Sequence, residues 1–384
     1  MNNRDCPVCN CSSKKELAHI KFSLPEHIKL PSSYNVVECD NCGMCYSDTT
    51  ATIEDYDSYY INCNYYSGNT VTDNSAIIDA IVKHCPSEYR ILDMGFGNGQ
   101  LLNSLKLLGF SDLSGIDPSI DSVNHLKSEG IHQAYQGSIF SLPEKKFFGQ
   151  FDCCCLTSVL EHLLDPQEAI HNLSQYIKSN GLLVLDIPDY SQVDSVDAAI
   201  PNQFNQEHIN YFSKESIEWL MNSAGFVSLE YIDFPRYNKD SVEHSLIGVF
   251  RKDDTYKAKN IKDKKTALSI ERYINTQKTK EMKRKIIIDQ LIHDDKKVYI
   301  WGTGSFVSYL METTNINKCN ILSFIDNNHL KQGKVFYGFP SISPSEIVDS
   351  NAVIVIATMM FTDSIMKQIC EMNIKNEVVP LALL

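Results

Sequence analysis

Short apolar runs alternate with amphipathic segments along most of the chain. Ser75-Ala-Ile-Ile-Asp-Ala-Ile-Val-Lys-His spaces its apolar positions three and four residues apart, which predicts a helix over 75–84. Tyr89-Arg-Ile-Leu-Asp-Met then reads as a short buried strand, followed by a glycine-rich turn and a helix beginning near Gln100. A second strand runs from Leu113 to Asp117. Phe151-Asp-Cys-Cys-Cys-Leu-Thr and Gly181-Leu-Leu-Val-Leu-Asp-Ile-Pro are further strands, with the three cysteines serving as small hydrophobes. Another helix is predicted from about Lys214, with Ser213 as its N-cap. Ile270, Tyr273 and Ile274, and again Ile286, Ile287 and Leu291, mark long amphipathic helices. Lys297–Trp301 opens a second strand, turn and helix, followed by strands at Ile321–Asp326 and Ala352–Thr358. Strands alternating with helices predict an α/β fold with a doubly wound sheet, built twice. The longest apolar runs are about seven residues, far short of the ~20 that cross a bilayer.

Composition changes this picture at the N-terminus. The chain has 384 residues and 13 cysteines, six of them in the first 45 positions. Met1-Asn-Asn-Arg-Asp-Cys has no apolar core of a secretory signal, so a cytoplasmic location and reduced thiols are expected. Cys6-Pro-Val-Cys9 and Cys39-Asp-Asn-Cys42 are two Cys-x2-Cys turns. Each aims two thiolates at one point, and together they make the four-sulfur site that Zn²⁺ prefers. Cys6, Cys9, Cys39 and Cys42 are the expected ligands of a structural zinc ribbon, with Cys11 and Cys45 as spares. Metal-free thiols and a redox pair are the competing readings. The aromatic stretch after the ribbon (Tyr56, Tyr59, Tyr60, Tyr65 and Tyr66) suits either packing or a lid over a small-molecule pocket.

Formal net charge is −13, which opposes wrapping of nucleic acid. The sign is uneven. Residues 251–297 carry 15 Lys/Arg against 8 Asp/Glu, a balance of +7, leaving −20 elsewhere. The expected division is 1–72 ribbon with its aromatic segment, 73–250 central domain, 251–296 basic helical connector and 297–384 C-terminal domain.

The first glycine turn reads Asp93-Met-Gly95-Phe-Gly97-Asn-Gly99, and the next strand ends in Asp117, 22 residues after Gly95. An acid at that place in a doubly wound sheet hydrogen-bonds ribose hydroxyls. A carboxylate at Asp93 repels pyrophosphate and suits a cationic ligand. This pattern resembles the first motif of class I methyltransferases that use S-adenosylmethionine. The resemblance extends over about residues 75–235, through Gly137-Ser-Ile-Phe-Ser-Leu-Pro and Ser158-Val-Leu-Glu-His-Leu-Leu-Asp-Pro. It implies a Rossmann-like sheet that holds the cofactor with Asp93, Gly95, Gly97, Gly99, Asp117, Ser138 and Thr157. The family often has Asp where this chain has Ser138. Glu161-His162 is a hallmark of the family.

Farther on, Asn205-Gln-Glu-His-Ile-Asn-Tyr-Phe-Ser resembles the deoxysugar C-methyltransferases, which combine a zinc ribbon, a methyltransferase core and a C-terminal Rossmann-like domain. Their Tyr-His-Glu-His signature survives here as Glu207-His208, with Asn205 and Gln206 replacing its first half. Methylating carbon beside a ketone needs an α-proton removed, and a neutral imidazole is suited to that step. The resemblance implies His208 as base, Glu207 orienting it or binding sugar hydroxyls, and Asn205 and Tyr211 beside a nucleotide-linked keto sugar. His244 lies where that family has a glycine-containing run. Methylation at oxygen or nitrogen of a sugar or small metabolite is the alternative. An RNA-binding module and a non-catalytic scaffold are the readings outside enzymology.

Trp301-Gly302-Thr-Gly304 and Asp326, 22 residues after Gly304, repeat the turn and terminal acid. Val307 replaces the third glycine of a dinucleotide turn, which disfavours ordinary NAD binding. This part resembles the small Rossmann-like domains fused to sugar-modifying enzymes. Gly302, Gly304 and Asp326 are candidates for holding a nucleotide-sugar phosphate or nucleoside. A monomer or small homo-oligomer without a membrane span is expected.

Overall fold

A computed structural model describes residues 4–25, 28–62, 73–140, 147–238, 241–253, 255, 260–358 and 361–383. Tyr65 and Tyr66 lie outside the described residues. Two compact units emerge. The first is Met1–Leu17, Asn35–Val196 and Glu207–Ile270, and the second is Ala18–Tyr34, Asp197–Gln206 and Glu271–Leu384. The units interleave along the chain.

The N-terminal strands are β1 (Lys14–Lys21), β2 (Ser33–Cys39) and β3 (Cys45–Asp48), followed by helix α1 (Ile53–Asn62). Gly43 sits in the knuckle at φ +78°, where a Cβ would fall 2.0 Å from the Asp263 carbonyl oxygen, so the position admits no side chain. That carbonyl's residue also donates its own amide to the Cys42 carbonyl.

The central sheet follows the sequence expectation closely. Helix α2 (Ser75–His84) leads into β4 (Ile91–Met94), α3 (Gln100–Leu107), β5 (Leu113–Asp117), α4 (Ile120–Ser128) and β6 (Ala134–Gln136). Next come β7 (Phe151–Thr157), α5 (Pro166–Ser174) and β8 (Ile177–Pro188). The short α6 (Ile200–Gln203) belongs to the second unit. Strand β9 (Asn210–Tyr211), helix α7 (Lys214–Ser223) and the antiparallel pair β10 (Phe226–Asn238) and β11 (Ser241–Lys252) complete the first unit's sheets. Ser213 caps α7 as expected, its hydroxyl accepting the Ser216 amide.

Seven strands order as β10-β11-β8-β7-β4-β5-β6. Pairs β4–β5, β4–β7, β5–β6 and β7–β8 are parallel. Winding reverses between β4 and β7, which opens a crevice at their carboxyl ends. Cys153, Cys154 and Cys155 are fully buried in β7. A four-stranded sheet of order β1-β2-β3-β9 joins the ribbon to the segment just after His208.

Residues 251–297 differ from expectation. Strand β11 runs to Lys252, and one helix, α8 (Thr266–His293), replaces the several helices anticipated. Ile270, Tyr273, Ile274 and Leu291 are buried, but Ile286 is 65% exposed and Ile288 takes the inward position. The misreading has a physical cause. Gln277 and Arg284 occupy buried positions at helical spacing and mask the apolar stripe. Arg284 is accommodated because its Nε donates to the Leu381 carbonyl at 2.8 Å and its guanidinium lies over the Phe306 ring.

The second unit contains β12 (Lys297–Trp301), α9 (Ser305–Thr313), β13 (Asn320–Ile325), β14 (Val335–Phe336), β15 (Phe339–Ile342), β16 (Val353–Ile356), α10 (Thr362–Glu371) and β17 (Val378–Pro380). Its sheet order is β14-β15-β13-β12-β16-β17. No helix among the described residues is long and apolar enough to cross a membrane.

Candidate active site

At the end of β4, Asp93 is 1% exposed and its Oδ1 has no hydrogen-bond partner among the described residues. Burial, and then the nearby Asp117, pushes its carboxyl up to about 7. The turn after it has positive φ at Gly95, Gly97 and Gly99. At Gly95 a Cβ would meet Val159 Cγ2 at 2.7 Å, so only glycine lets the turn approach the loop after β7. Asp117 organises this turn, its Oδ2 accepting the Gly97 amide at 2.9 Å and its Oδ1 the Ser119 amide at 2.8 Å. Burial raises its pKa, and these two amides pull it back down. The Gly137 amide donates to the Asp117 carbonyl, bringing Ser138 to the same edge of the sheet. Thr157 ends β7 next to Ser158, which has φ +52°. Six of the seven expected cofactor residues therefore lie on the turns and strand ends β4, β5 and β7, and Ser138 follows β6.

A second group lies where the loops after β7 and β8 and the segment before β9 meet. Glu161 is 1% exposed, and burial raises its carboxyl to about 8. The His162 ring nitrogen Nδ1 is 3.0 Å from the Glu207 carbonyl and 3.2 Å from the Tyr60 hydroxyl. A carbonyl only accepts, so this contact assigns the proton to Nδ1 and leaves Nε2 as an acceptor. The His162 and His208 rings meet edge-on at 4.8 Å. Burial lowers His162 to about 4 and His208 to about 3, the latter also through its histidine neighbour. Both imidazoles are neutral at pH 7. Tyr190 places its hydroxyl 3.4 Å from His208 Nδ1, and Tyr59 donates to Glu207 Oε1 at 2.6 Å.

Sequence reasoning missed Tyr190, although its position just past the carboxyl end of β8 is where substrates bind in such sheets. It also missed the ion pair of Asp186 with Arg236 at 2.6 Å, which joins β8 to β10. Tyr211 and Tyr190 are both buried, with their rings 4.8 Å apart. His244 is 3.6 Å from Asp233 at the β10–β11 pair.

In the ribbon, Cys6 and Cys42 sulfurs lie 3.5 Å apart, as do those of Cys9 and Cys39, and all four fall within 4.8 Å of one another. Tetrahedral zinc with Zn–S near 2.3 Å needs sulfurs about 3.8 Å apart. The donor set fits that ion. Cys11 and Cys45 turn instead toward the Ser13 and Gly43 carbonyls.

In the second unit, Asn205 accepts the Tyr34 hydroxyl on its carbonyl at 2.8 Å. Gly302 has φ +118°, and its amide donates to Ile325. Thr303 donates to Asp326 Oδ2 at 2.6 Å, so the acid is tied to the glycine turn. Gly304 immediately precedes α9.

Comparison with known proteins fits the first of these sites. Residues 68–231 match the family described as a methyltransferase domain, and residues 294–379 match one described as C2185-like, N-terminal. A mitochondrial ubiquinone biosynthesis O-methyltransferase from Schizosaccharomyces pombe is 33% identical over 115 residues, covering 27% of this chain and 39% of that one. The Erwinia tasmaniensis ubiquinone biosynthesis O-methyltransferase is 25% identical, over 28% of this chain and 46% of its own. The chain thus spans less than half the length of these curated relatives. Among solved structures, the Burkholderia thailandensis 1,6-didemethyltoxoflavin-N1-methyltransferase, with bound 1,6-didemethyltoxoflavin and S-adenosylhomocysteine, aligns with TM-score 0.44 and 16% identity over 56% of this chain and 97% of its own. An S-adenosylmethionine dependent methyltransferase from Mesorhizobium loti aligns with TM-score 0.38 and 15% identity, over 46% and 97%. The stretch that matches the methyltransferase-domain family, 68–231, contains the Asp93 to Asp117 turn and the parallel strands on either side of it.

Proposed function

We propose that the protein methylates a nucleotide-linked deoxysugar at the carbon next to a ketone, with His208 as the base. The observation that carries this reading is the half-buried, neutral His208, set between His162 and Tyr190. S-adenosylmethionine supplies an electrophilic methyl group on a sulfonium. Asp93 faces that positive charge, Asp117 orders the turn and presents carboxylate oxygens to ribose, and Ser138 and Thr157 line the same edge. His208 accepts the α-proton. A developing enolate stabilises the imidazolium as the proton moves. The family's missing tyrosine, replaced at Asn205, has a counterpart in Tyr190, whose hydroxyl lies beside His208. Glu207, held by Tyr59, orients the loop or accepts from sugar hydroxyls. Within the second unit, Gly302, Gly304 and Asp326 are proposed to hold a nucleotide phosphate or nucleoside. The ribbon is proposed to hold one structural Zn²⁺ through Cys6, Cys9, Cys39 and Cys42.

Methyl transfer to oxygen or nitrogen is the second reading, favoured by the similarity to ubiquinone biosynthesis O-methyltransferases. It needs less help from a base. The atom that carries the methyl group in the product separates the two readings, and NMR of that product is the test.

Asp93 gives a pH signature. Held near 7, it is ionised at pH 8 and mostly protonated at pH 6. A protonated carboxyl no longer attracts a sulfonium, so cofactor affinity should fall about tenfold between pH 8 and pH 6. Asp93→Asn should bind weakly at both pH values, without that dependence. Calorimetric titration reads this directly, and parallel pH profiles for the two proteins would remove Asp93 from cofactor binding.

A further inference from the structure

Taking His208 as the base, we propose that Arg4 and Asn210 are positioning residues, which clamp the loop of Glu207 and His208 to the turn of Glu161 and His162. Asn210 is fully buried, and its amide is used on both ends. Its Nδ2 donates to the Leu160 carbonyl at 3.0 Å and to the Leu163 carbonyl at 2.6 Å. Its Oδ1 accepts from Arg4 Nη2 at 3.0 Å. The amide orientation is forced, because carbonyls only accept and a guanidinium only donates. The same Arg4 nitrogen donates to the Leu164 carbonyl at 3.0 Å. One arginine and one asparagine therefore hold the Leu160–Leu164 turn, which contains Glu161 and His162, against the residue two places after His208.

The ribbon fixes Arg4 in turn. Its backbone amide donates to Asp48 Oδ1 at 3.0 Å, and Lys14 binds the same oxygen at 2.8 Å in a buried pair. Main-chain pairing runs in parallel with these side chains. Tyr46 pairs with Asn210 and Cys45 with Tyr211 between β3 and β9. The Ser47 amide donates to the Ile209 carbonyl, and the Ile209 amide donates to the Glu161 carbonyl, each at 2.9 Å. The His162 contact with the Glu207 carbonyl closes the ring of bonds. An apolar residue at 210 would fill the space without fixing where one loop sits along the other. A satisfied buried polar group specifies that register. Misplacing a catalytic group by about 1 Å can cost about 100-fold in rate.

Asn210→Asp tests the clamp. It keeps the size and the Arg4 partner, and it turns a donor into an acceptor facing two carbonyls. The expected result is a kcat lowered by about 10- to 100-fold, with acceptor KM and S-adenosylmethionine Kd changed by no more than about twofold. Hydrogen–deuterium exchange should quicken in 160–164 and 207–212, with the rest of the chain unchanged. Arg4→Gln leaves both Asn210 donors in place and should give a smaller change in the same direction, which keeps the test available if the aspartate variant does not fold. Wild-type kcat in folded variants would overturn the proposal, as would a loss of kcat accompanied by faster exchange throughout the chain. His208→Ala measured alongside separates the two ideas. If it retains turnover, the base assignment fails even though Asn210→Asp still loosens the loop. If it is inert while both clamp variants are normal, the clamp fails and the base assignment stands.

Discussion

His208→Ala is expected to lower kcat by about 10²- to 10⁴-fold, the usual contribution of a positioned general base. S-adenosylmethionine Kd should stay within about twofold of wild type, because the histidine is on the segment before β9 and the cofactor turn follows β4. Two features make the effect large. The imidazole is half-buried and neutral, so it takes a proton without first losing one. Its neighbours also set its place, with the His162 ring edge-on and the Tyr190 hydroxyl near Nδ1. The variant separates base chemistry from simple proximity. In D₂O, with S-adenosylhomocysteine bound and no methyl donor, wild-type protein should wash deuterium into the carbon beside the ketone of a nucleotide-linked 4-keto-deoxysugar. The alanine variant should not. Full turnover in the variant, or equal deuterium incorporation, would remove His208 from the mechanism.

Cys39→Ser is expected to abolish stoichiometric zinc and to lower both stability and activity. Loss of one of four sulfur ligands opens the site, and structural zinc contributes directly to folding free energy. A loss of roughly 3–5 kcal/mol corresponds to a melting temperature about 10 °C lower. The activity loss follows from geometry. Strand β3 begins three residues after Cys42 and pairs with β9, which begins two residues after His208. Cys11→Ser is the control and should keep its zinc, since that thiol faces the Ser13 carbonyl. Metal analysis and thermal melting of the two variants check this. A fully zinc-loaded Cys39→Ser protein would contradict the ligand assignment.

What was legible in the sequence depended on how local its cause is. The glycine turn, the strand ends at Asp93 and Asp117, helix α2 and the Ser213 cap all follow from neighbouring residues, and the structure places them as expected. The paired Cys-x2-Cys turns were equally local, and their sulfurs converge. The arrangement around His208 was not legible. His162, Tyr190 and Tyr59 come from three separate segments, and only the sheet order brings them to one edge. Arg4 belongs to no motif in the sequence, and its link to Asn210 exists only because β9 extends the ribbon sheet. Helix α8 was misphased for a different reason. Its inward face includes Gln277 and Arg284, so a polarity pattern points Ile286 inward when it faces solvent.

The most direct test of the account is NMR of the product formed from S-adenosylmethionine carrying a ¹³C-labelled methyl group and a nucleotide-linked 4-keto-deoxysugar. A label bonded to the carbon next to the ketone is the expected result. A label on oxygen or nitrogen, formed at the same rate by His208→Ala, would contradict it.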